Sequence, residues 1–255
     1  MKIFKTMIEG FHKVLFGSQN ALLKHVCIIA LTAIVSYFSV QSEFLKGQLD
    51  NTTGALPDLS GFFLGLLAAL IVGCYMFGYS LSFMHNVYHE DPENCLPEFD
   101  ENPFKIFFKS FPLILVWILY FLLLGIVSGL LSVILIGLVG FVVMLIMAIG
   151  LQFIWVEFSR DFDRTGLFSF KKPFEYIGKT IVPLILMTIL YIFIYILCMI
   201  PIAIVGGIMG FMGIGSTAIT YTGGIIGGYI GFILQLVWYY CIVKLYKEKF
   251  EHYEQ

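Results

Sequence analysis

The sequence predicts an all-α integral membrane protein: six transmembrane helices arranged as three hairpins, each hairpin preceded by an amphipathic helix lying in the cytoplasmic interface. Three observations predict it: a composition more apolar than a soluble domain's, two long stretches without charge, and a proline-led string that the chain writes twice. Of 255 residues, 59% are hydrophobic and 13% charged, against roughly 25% charged in an average soluble protein. The mean hydropathy is +0.92.

No Asp, Glu, Lys or Arg occurs between Lys109 and Glu157, or between Lys179 and Lys244. A single helix over the first gap would be about 70 Å long, more than twice a hydrocarbon core of roughly 30 Å. That gap therefore predicts two spans. The second predicts two more, joined by a glycine-rich connection of about 20 residues. With the apolar runs HVCIIALTAIVSYFSVQ and SGFFLGLLAALIVGCYMFGYSLSF, the spans fall near 23–42, 60–83, 111–131, 134–156, 181–204 and 219–243.

Orientation follows from the cations, because loops on the cytoplasmic side carry an excess of Lys and Arg near the span ends. Fourteen of the fifteen lie in the N-terminal segment, the loops after spans two and four, and the tail; Lys46 alone falls on the other side. Both termini are thus expected in the cytoplasm and the plasma membrane is the expected address. No small-residue cleavage site follows span one, so no cleavable signal peptide is expected. Cys27, Cys74, Cys198 and Cys241 fall in spans, where cysteine behaves as a small hydrophobe, and Cys95 falls in a cytoplasmic loop; no disulfide is expected. The triplet at Asn51 matches a glycosylation acceptor on the predicted outer side.

The doubled string is PFKIFFKSFPLILVWIL from Pro103 and PFEYIGKTIVPLILMTIL from Pro173. In the first copy Phe104, Phe107, Phe108 and Phe111 recur at helical spacing with Lys105 and Lys109 between them, the pattern of a helix lying in an interface. Asn102 is placed to cap it and Pro103 suits its first turn. The second copy offers Phe170, Phe174, Ile177 and Ile181 against Lys171, Lys172, Glu175 and Lys179. Pro112 and Pro183 then mark the expected bend into a span. The N-terminus carries a third version, with Ile3, Phe4, Met7, Ile8, Phe11, Val14 and Leu15 against Lys2, Lys5, Glu9, His12 and Lys13. One membrane domain, 1–255, is thus read as units 1–83, 103–156 and 170–243, with a cytoplasmic loop 84–102 and a short tail 244–255. Units of one orientation are related by an axis along the membrane normal.

The loop HNVYHEDPENCLPEFDENP is the most polar stretch. His85 and His89 share a helical face near Glu90 and Glu93, so a metal site can be drawn there; a solvated helix end finishing at Asp91-Pro92 is the favoured reading, and no metal or cofactor is expected. Glu98, Asp100 and Glu101 precede a helix start, where carboxylates favour the positive end of the dipole; the alternative is an acidic patch that docks a partner. Candidate partner or lipid contacts are Glu98, Phe99, Asp100, Phe104, Phe108, Lys171, Lys172 and Phe174.

The stretch GYSLSFMHNVYHEDPENCLPEFD resembles the signature of an uncharacterised family of bacterial and archaeal polytopic membrane proteins. That family, a domain of unknown function, shows Gly-Tyr, then Asn-Val, then Leu-Pro-Glu-Trp-Asp leading into an amphipathic helix. The matching positions are Gly78, Tyr79, Asn86, Val87, Leu96, Pro97, Glu98 and Asp100; Phe99 stands where the family has Trp, and the basic residues usual before the Asn are absent. The resemblance covers roughly residues 60 to 130 and implies a fold type without an activity.

Gly223, Gly224, Gly227, Gly228 and Gly231 crowd the last span at spacings that let helix backbones approach, so they are read as packing positions. TAITYTGG has its Thr, Tyr and Gly in the wrong order for a cation filter. Gly206, Gly207, Gly210, Gly213 and Gly215 are expected in an outer connection folded back into protein. Ion-coupled transporters place ionisable groups inside the bilayer, whereas these spans offer Gln152, Gln235, hydroxyls and tyrosines, which disfavours coupled transport. His-Glu-x-x-His, nucleotide-binding lysine loops and Gly-x-Ser-x-Gly are absent. The expectation is a non-enzymatic membrane protein acting as a homo-oligomer or accessory subunit, with lipids and a membrane complex as partners and no nucleic acid. The alternatives are a passive channel or carrier for a small neutral or apolar solute and, third, a lipid-modifying enzyme.

Overall fold

The computed structural model describes residues 3–50, 59–91, 95–99, 102–132, 137–164, 167, 169 and 171–251. Asn51, Glu93, Asp100, Glu101, Phe170 and His252 lie outside the described residues. Among those described there are seven helices and no strand: α1 (Ile3–Phe16), α2 (Ala21–Asp50), α3 (Leu59–Tyr88), α4 (Pro103–Ser132), α5 (Gly137–Asp161), α6 (Lys171–Phe211) and α7 (Ser216–Phe250). Five contain stretches long and apolar enough to cross a membrane: Ala21–Phe38, Phe63–Tyr88, Pro103–Leu123, Lys171–Phe211 and Ser216–Phe250. The chain is compatible with a multi-pass membrane protein.

The helices alternate between an inner and an outer set. α3, α5 and α7 pack on one another, and each outer helix fills the groove between two of them: α2 on α3 and α7, α4 on α3 and α5, α6 on α5 and α7. α7 is enclosed over its second half. From Phe232 to Tyr246 it buries Phe232, Leu236, Tyr239, Val243 and Tyr246 together with Ile233, Val237, Tyr240 and Cys241 on its other sides, and a helix apolar all round belongs in an interior. α1 lies across α7, burying Met7, Gly10 and Val14, while Phe4 and Ile8 remain exposed.

Glycine sets the closest approaches. A Cβ on Gly78 of α3 would stand 2.0 Å from the carbonyl oxygen of Ile106 in α4, and one on Gly150 of α5 would stand 2.7 Å from the carbonyl oxygen of Pro173 in α6. α4 and α6 therefore each begin by crossing a glycine of the inner helix before it. At the third crossing the glycine is on the other partner, Gly10 of α1, facing the Tyr240 ring of α7.

The two proline-led strings bury corresponding positions: Ile106 and Tyr176, Ser110 and Thr180, Leu113 and Leu184, Val116 and Met187. Val182 is the one insertion between them. The amphipathic helices expected from Pro103 and Pro173 are, however, not separate elements here, whereas the N-terminal one is, as α1. Pro112 and Pro183 each lie inside one continuous helix. Residues immediately after each proline are clamped against the inner set, and such packing keeps a membrane-type helix running through a proline that would end it in water. Asn102 caps α4, its Oδ1 accepting from Phe104 N at 3.0 Å.

The glycine-rich connection also differs from expectation. α6 continues to Phe211, only Met212–Gly215 turn, with Gly213 at φ 72°, and α7 starts at Ser216. Phe211 and Met212 are exposed, so this segment extends outward instead of folding back into protein. A glycine costs about 1 kcal/mol in a helix, too little to interrupt 41 residues that satisfy their own backbone.

Candidate functional site

The polar chemistry gathers at one end of the bundle, where α2, α4 and α6 begin and α3, α5 and α7 finish. Its centre is the short segment Cys95–Phe99. Lys24, near the start of α2, is buried and donates from Nζ to the Leu96 carbonyl at 2.8 Å and to Glu98 Oε1 at 2.7 Å. Leu96 N donates to Ser18 Oγ at 2.6 Å, and the Tyr79 hydroxyl donates to the Pro97 carbonyl at 3.2 Å. Phe99 stacks on Tyr79 with ring centroids 4.8 Å apart and on Tyr75 at 6.4 Å. Gly78, Tyr79, Leu96, Pro97, Glu98 and Phe99 thus form one clasp, with the α4 backbone pressed against Gly78.

His85 and His89 point to α5. His85 Nδ1 lies 2.8 Å from the Ser159 carbonyl and His89 Nε2 lies 2.9 Å from that of Arg160, which satisfies carbonyls that every helix C-terminus leaves open. Among the described residues no group of three or more His, Cys, Asp or Glu is placed to hold a metal ion. Glu90 turns to α7 instead, accepting from Lys244 at 3.1 Å and Lys247 at 3.2 Å. Those two cations hold its carboxyl below the ordinary value of 4.5. Burial pushes the Cys95 thiol up to about 11.

At the α5–α6 junction Glu157 accepts from Lys172 through one oxygen and from the Tyr176 hydroxyl, at 2.7 Å, through the other. Lys171 reaches Glu175 at 3.0 Å on an exposed surface, where such pairs contribute little. Phe104, Phe108 and Phe174 are exposed. Of the predicted contacts, then, Glu98, Phe99 and Lys172 are internal ties, and Phe104, Phe108, Lys171 and Phe174 face outward.

Between the inner helices the space is filled by aromatic rings, one from each. Phe77 of α3 meets Trp155 of α5 edge-on at 5.1 Å, and Trp155 meets Tyr239 of α7 at 6.1 Å. Beside them Trp238 Nε1 donates to Gln152 Oε1 at 2.6 Å. The open volumes lie off this axis. One, of about 510 Å³, sits among α2, α3 and α7 and presents Thr32, Ser36, Thr220 and Gln235 beside Gly224, Gly228 and Gly231. Another, of about 690 Å³, sits among α2, α3, α4 and Phe99, and its walls are apolar apart from Cys27 and the Tyr75 hydroxyl.

The five glycines separate into roles. A Cβ on Gly224 would come within 3.0 Å of Ser36 Oγ, and one on Gly228 within 3.3 Å of the Thr32 Cβ, so α2 crosses α7 at these two. Gly227 has Ile202 of α6 at 3.9 Å, and Gly223 and Gly231 have nothing within 4 Å. Thr32 and Ser36, four apart like the glycines they meet, are the half of this crossing that the composition of span one concealed. Lys24 carried no such signal, since a lysine at a span's edge reads as an interfacial anchor.

Comparison of the chain with protein-family models, with curated proteins and with solved structures returned no match.

Proposed function

We propose that the chain is a non-enzymatic, six-span protein of the plasma membrane, with both termini cytoplasmic, that acts by assembly with copies of itself or with a membrane complex. α5 supplies the sixth span: no charged residue occurs from Gly137 to Val156, about the length a bilayer requires. The hairpins are then α2 with α3, α4 with α5 and α6 with α7, pairs that pack on one another. Three units about one axis accord with the alternation of outer and inner helices and with the matched burial in α4 and α6. The family resemblance belongs to this proposal: of its residues, Gly78, Tyr79, Leu96, Pro97 and Glu98 gather in one clasp beside Lys24.

The observation that carries assembly is the contrast between interior and exterior. The axis is filled by Phe77, Trp155 and Tyr239, and Lys24, Glu98, Glu157, Lys172, Glu90, Lys244 and Lys247 are engaged in ties between elements at one end. By contrast α6 keeps Ile185, Ile189, Phe193, Ile196, Ile200 and Ile204 exposed along its outer length. Native mass spectrometry after mild detergent extraction is expected to find the chain as an oligomer or bound to other membrane subunits. Isolated chains throughout would overturn the reading.

A second reading, a passive path for a small neutral solute, is favoured by the hydroxyl-lined volume at Thr32, Ser36 and Gln235 beside the glycines of α7. Proteoliposomes taking up such solutes faster than empty vesicles would support it, with Gly228→Leu expected to remove the excess flux.

A further inference from the structure

We infer that the apolar cleft among α2, α3 and α4 is a binding site for the hydrocarbon tail of a membrane phospholipid. The cleft exists because α2 and α4 both pack on α3, one on either flank, and the segment ending at Phe99 closes it from the polar end. Its volume of about 690 Å³ falls within the range of ligand-binding pockets, roughly 300–1,000 Å³. What it takes is decided by its walls. Leu31 and Val72 on one side and Phe99, Phe104 and Phe108 on the other offer an aqueous solute nothing to hydrogen-bond, in contrast to the hydroxyl-lined volume at α7.

Position and charge select a lipid over other apolar occupants. Phe104 and Phe108 are exposed on the outer side of the bundle, as are Val26 and Ile29 on α2, so the mouth opens sideways, toward what would be bilayer. Lys105, between those phenylalanines in sequence, is exposed. It stands one helical step from Phe108 on the α4 surface, where an ammonium meets a lipid phosphate while the tail enters the cleft. The floor is rigid: Phe99 is held by stacking on Tyr79, and the residue before it by the Lys24 ammonium. A tail bound here therefore presses on the clasp that joins α2, α3 and α4.

This inference rests on the membrane reading, and the test keeps the two apart. The full chain is reconstituted in vesicles of phosphatidylglycerol and phosphatidylethanolamine containing a phosphatidylglycerol with a diazirine in its acyl chain, irradiated, digested and mapped. Concentration of adducts on the peptides carrying Leu31, Val72 and Phe104 relative to that carrying Ile189 and Phe193 is the expected result, as is their loss in Val72→Trp with α6 adducts unchanged. Leu31→Phe fills the same space and serves if the tryptophan variant does not fold. Adducts spread over all exposed faces and unaffected by either substitution overturn the site. So does native mass spectrometry of protein from its own membranes that retains a prenyl lipid in place of a phospholipid. Failure of the chain to remain in the membrane pellet after alkaline carbonate washing overturns the membrane reading itself.

Discussion

Lys24 Nζ sits 2.7 Å from Glu98 Oε1, with the lysine side chain 3% exposed and the carboxylate side chain 39% exposed. The asymmetry says where the cost of breaking the pair falls. Glu98 can return to water; Lys24 cannot, and it also serves the Leu96 carbonyl. Replacing Lys24 with Met keeps the packing of its stem but strands that carbonyl, a penalty of about 1–3 kcal/mol. Glu98→Gln retains an acceptor and is expected to cost less. Thermal unfolding in detergent, followed by retention of the monodisperse species, should rank Lys24→Met clearly below Glu98→Gln. Equal midpoints would show that the clasp is not closed by the lysine.

Gly78 supplies a steric prediction. Its missing Cβ would lie 2.0 Å from the Ile106 carbonyl oxygen, which is backbone and cannot rotate aside, whereas Gly73, five residues earlier on α3, has nothing within 4 Å. Gly78→Ala should therefore destabilise by about 1–3 kcal/mol or more, in the manner of an overpacked core. Gly73→Ala should be neutral or slightly stabilising, because alanine is the better helix former. The same unfolding assay separates them.

The crossing of α2 and α7 rests on Gly224 and Gly228 against Ser36 and Thr32, and not on Gly223. Gly228→Leu is expected to push the two helices apart and abolish a disulfide engineered between them near the crossing; Gly223→Leu is expected to leave it intact. Equal loss in both would mean that the glycine tract packs by composition and without register.

Glu90 and Cys95 respond to pH in opposite directions. The Glu90 carboxyl titrates below its ordinary value of 4.5 because of Lys244 and Lys247. The stability it adds is fully present above that ordinary value and is lost as pH falls through the depressed one. With its side chain 60% exposed the effect is small and salt-screened. Hydrogen exchange at the ends of α3 and α7 should quicken in acid for the native chain, and Glu90→Gln should flatten that dependence. Cys95 is the converse: its thiol is raised to about 11, so a thiolate reagent at neutral pH should label it only after unfolding. Its stabilising effect is present below the ordinary thiol value of 9.0 and declines as pH rises from there toward 11.

The charge-free stretches made the apolar helices legible, because a bilayer length without ions admits few other readings. The strings from Pro103 and Pro173 bury matching positions, Ser110 and Thr180 among them, and the repeat read from them remains part of the proposal. Helix ends were less legible. Pro112, Pro183 and the glycines at 206 and 210 read as breaks, yet they lie inside continuous helices, since a local penalty of about 1 kcal/mol for glycine or about 3 kcal/mol for proline does not outweigh the backbone hydrogen bonds a long apolar helix satisfies within itself. Lys24 was illegible as a buried donor, for its acceptors, Leu96 and Glu98, lie more than seventy residues away. His85 and His89 lie together at the end of α3. Their acceptors, the closing carbonyls of α5, belong to a part of the chain that local spacing does not reach.

In the proposed topology α1, the starts of α4 and α6, and the end of α7 share one side of a membrane. In a chain stripped of its native cysteines, single substitutions Lys13→Cys, Lys105→Cys, Lys171→Cys and Lys249→Cys can be probed with a charged, impermeant maleimide on sealed inside-out and right-side-out vesicles. The account predicts that all four label from the cytoplasmic side alone. Labelling of Lys13→Cys and Lys171→Cys from opposite sides would contradict it.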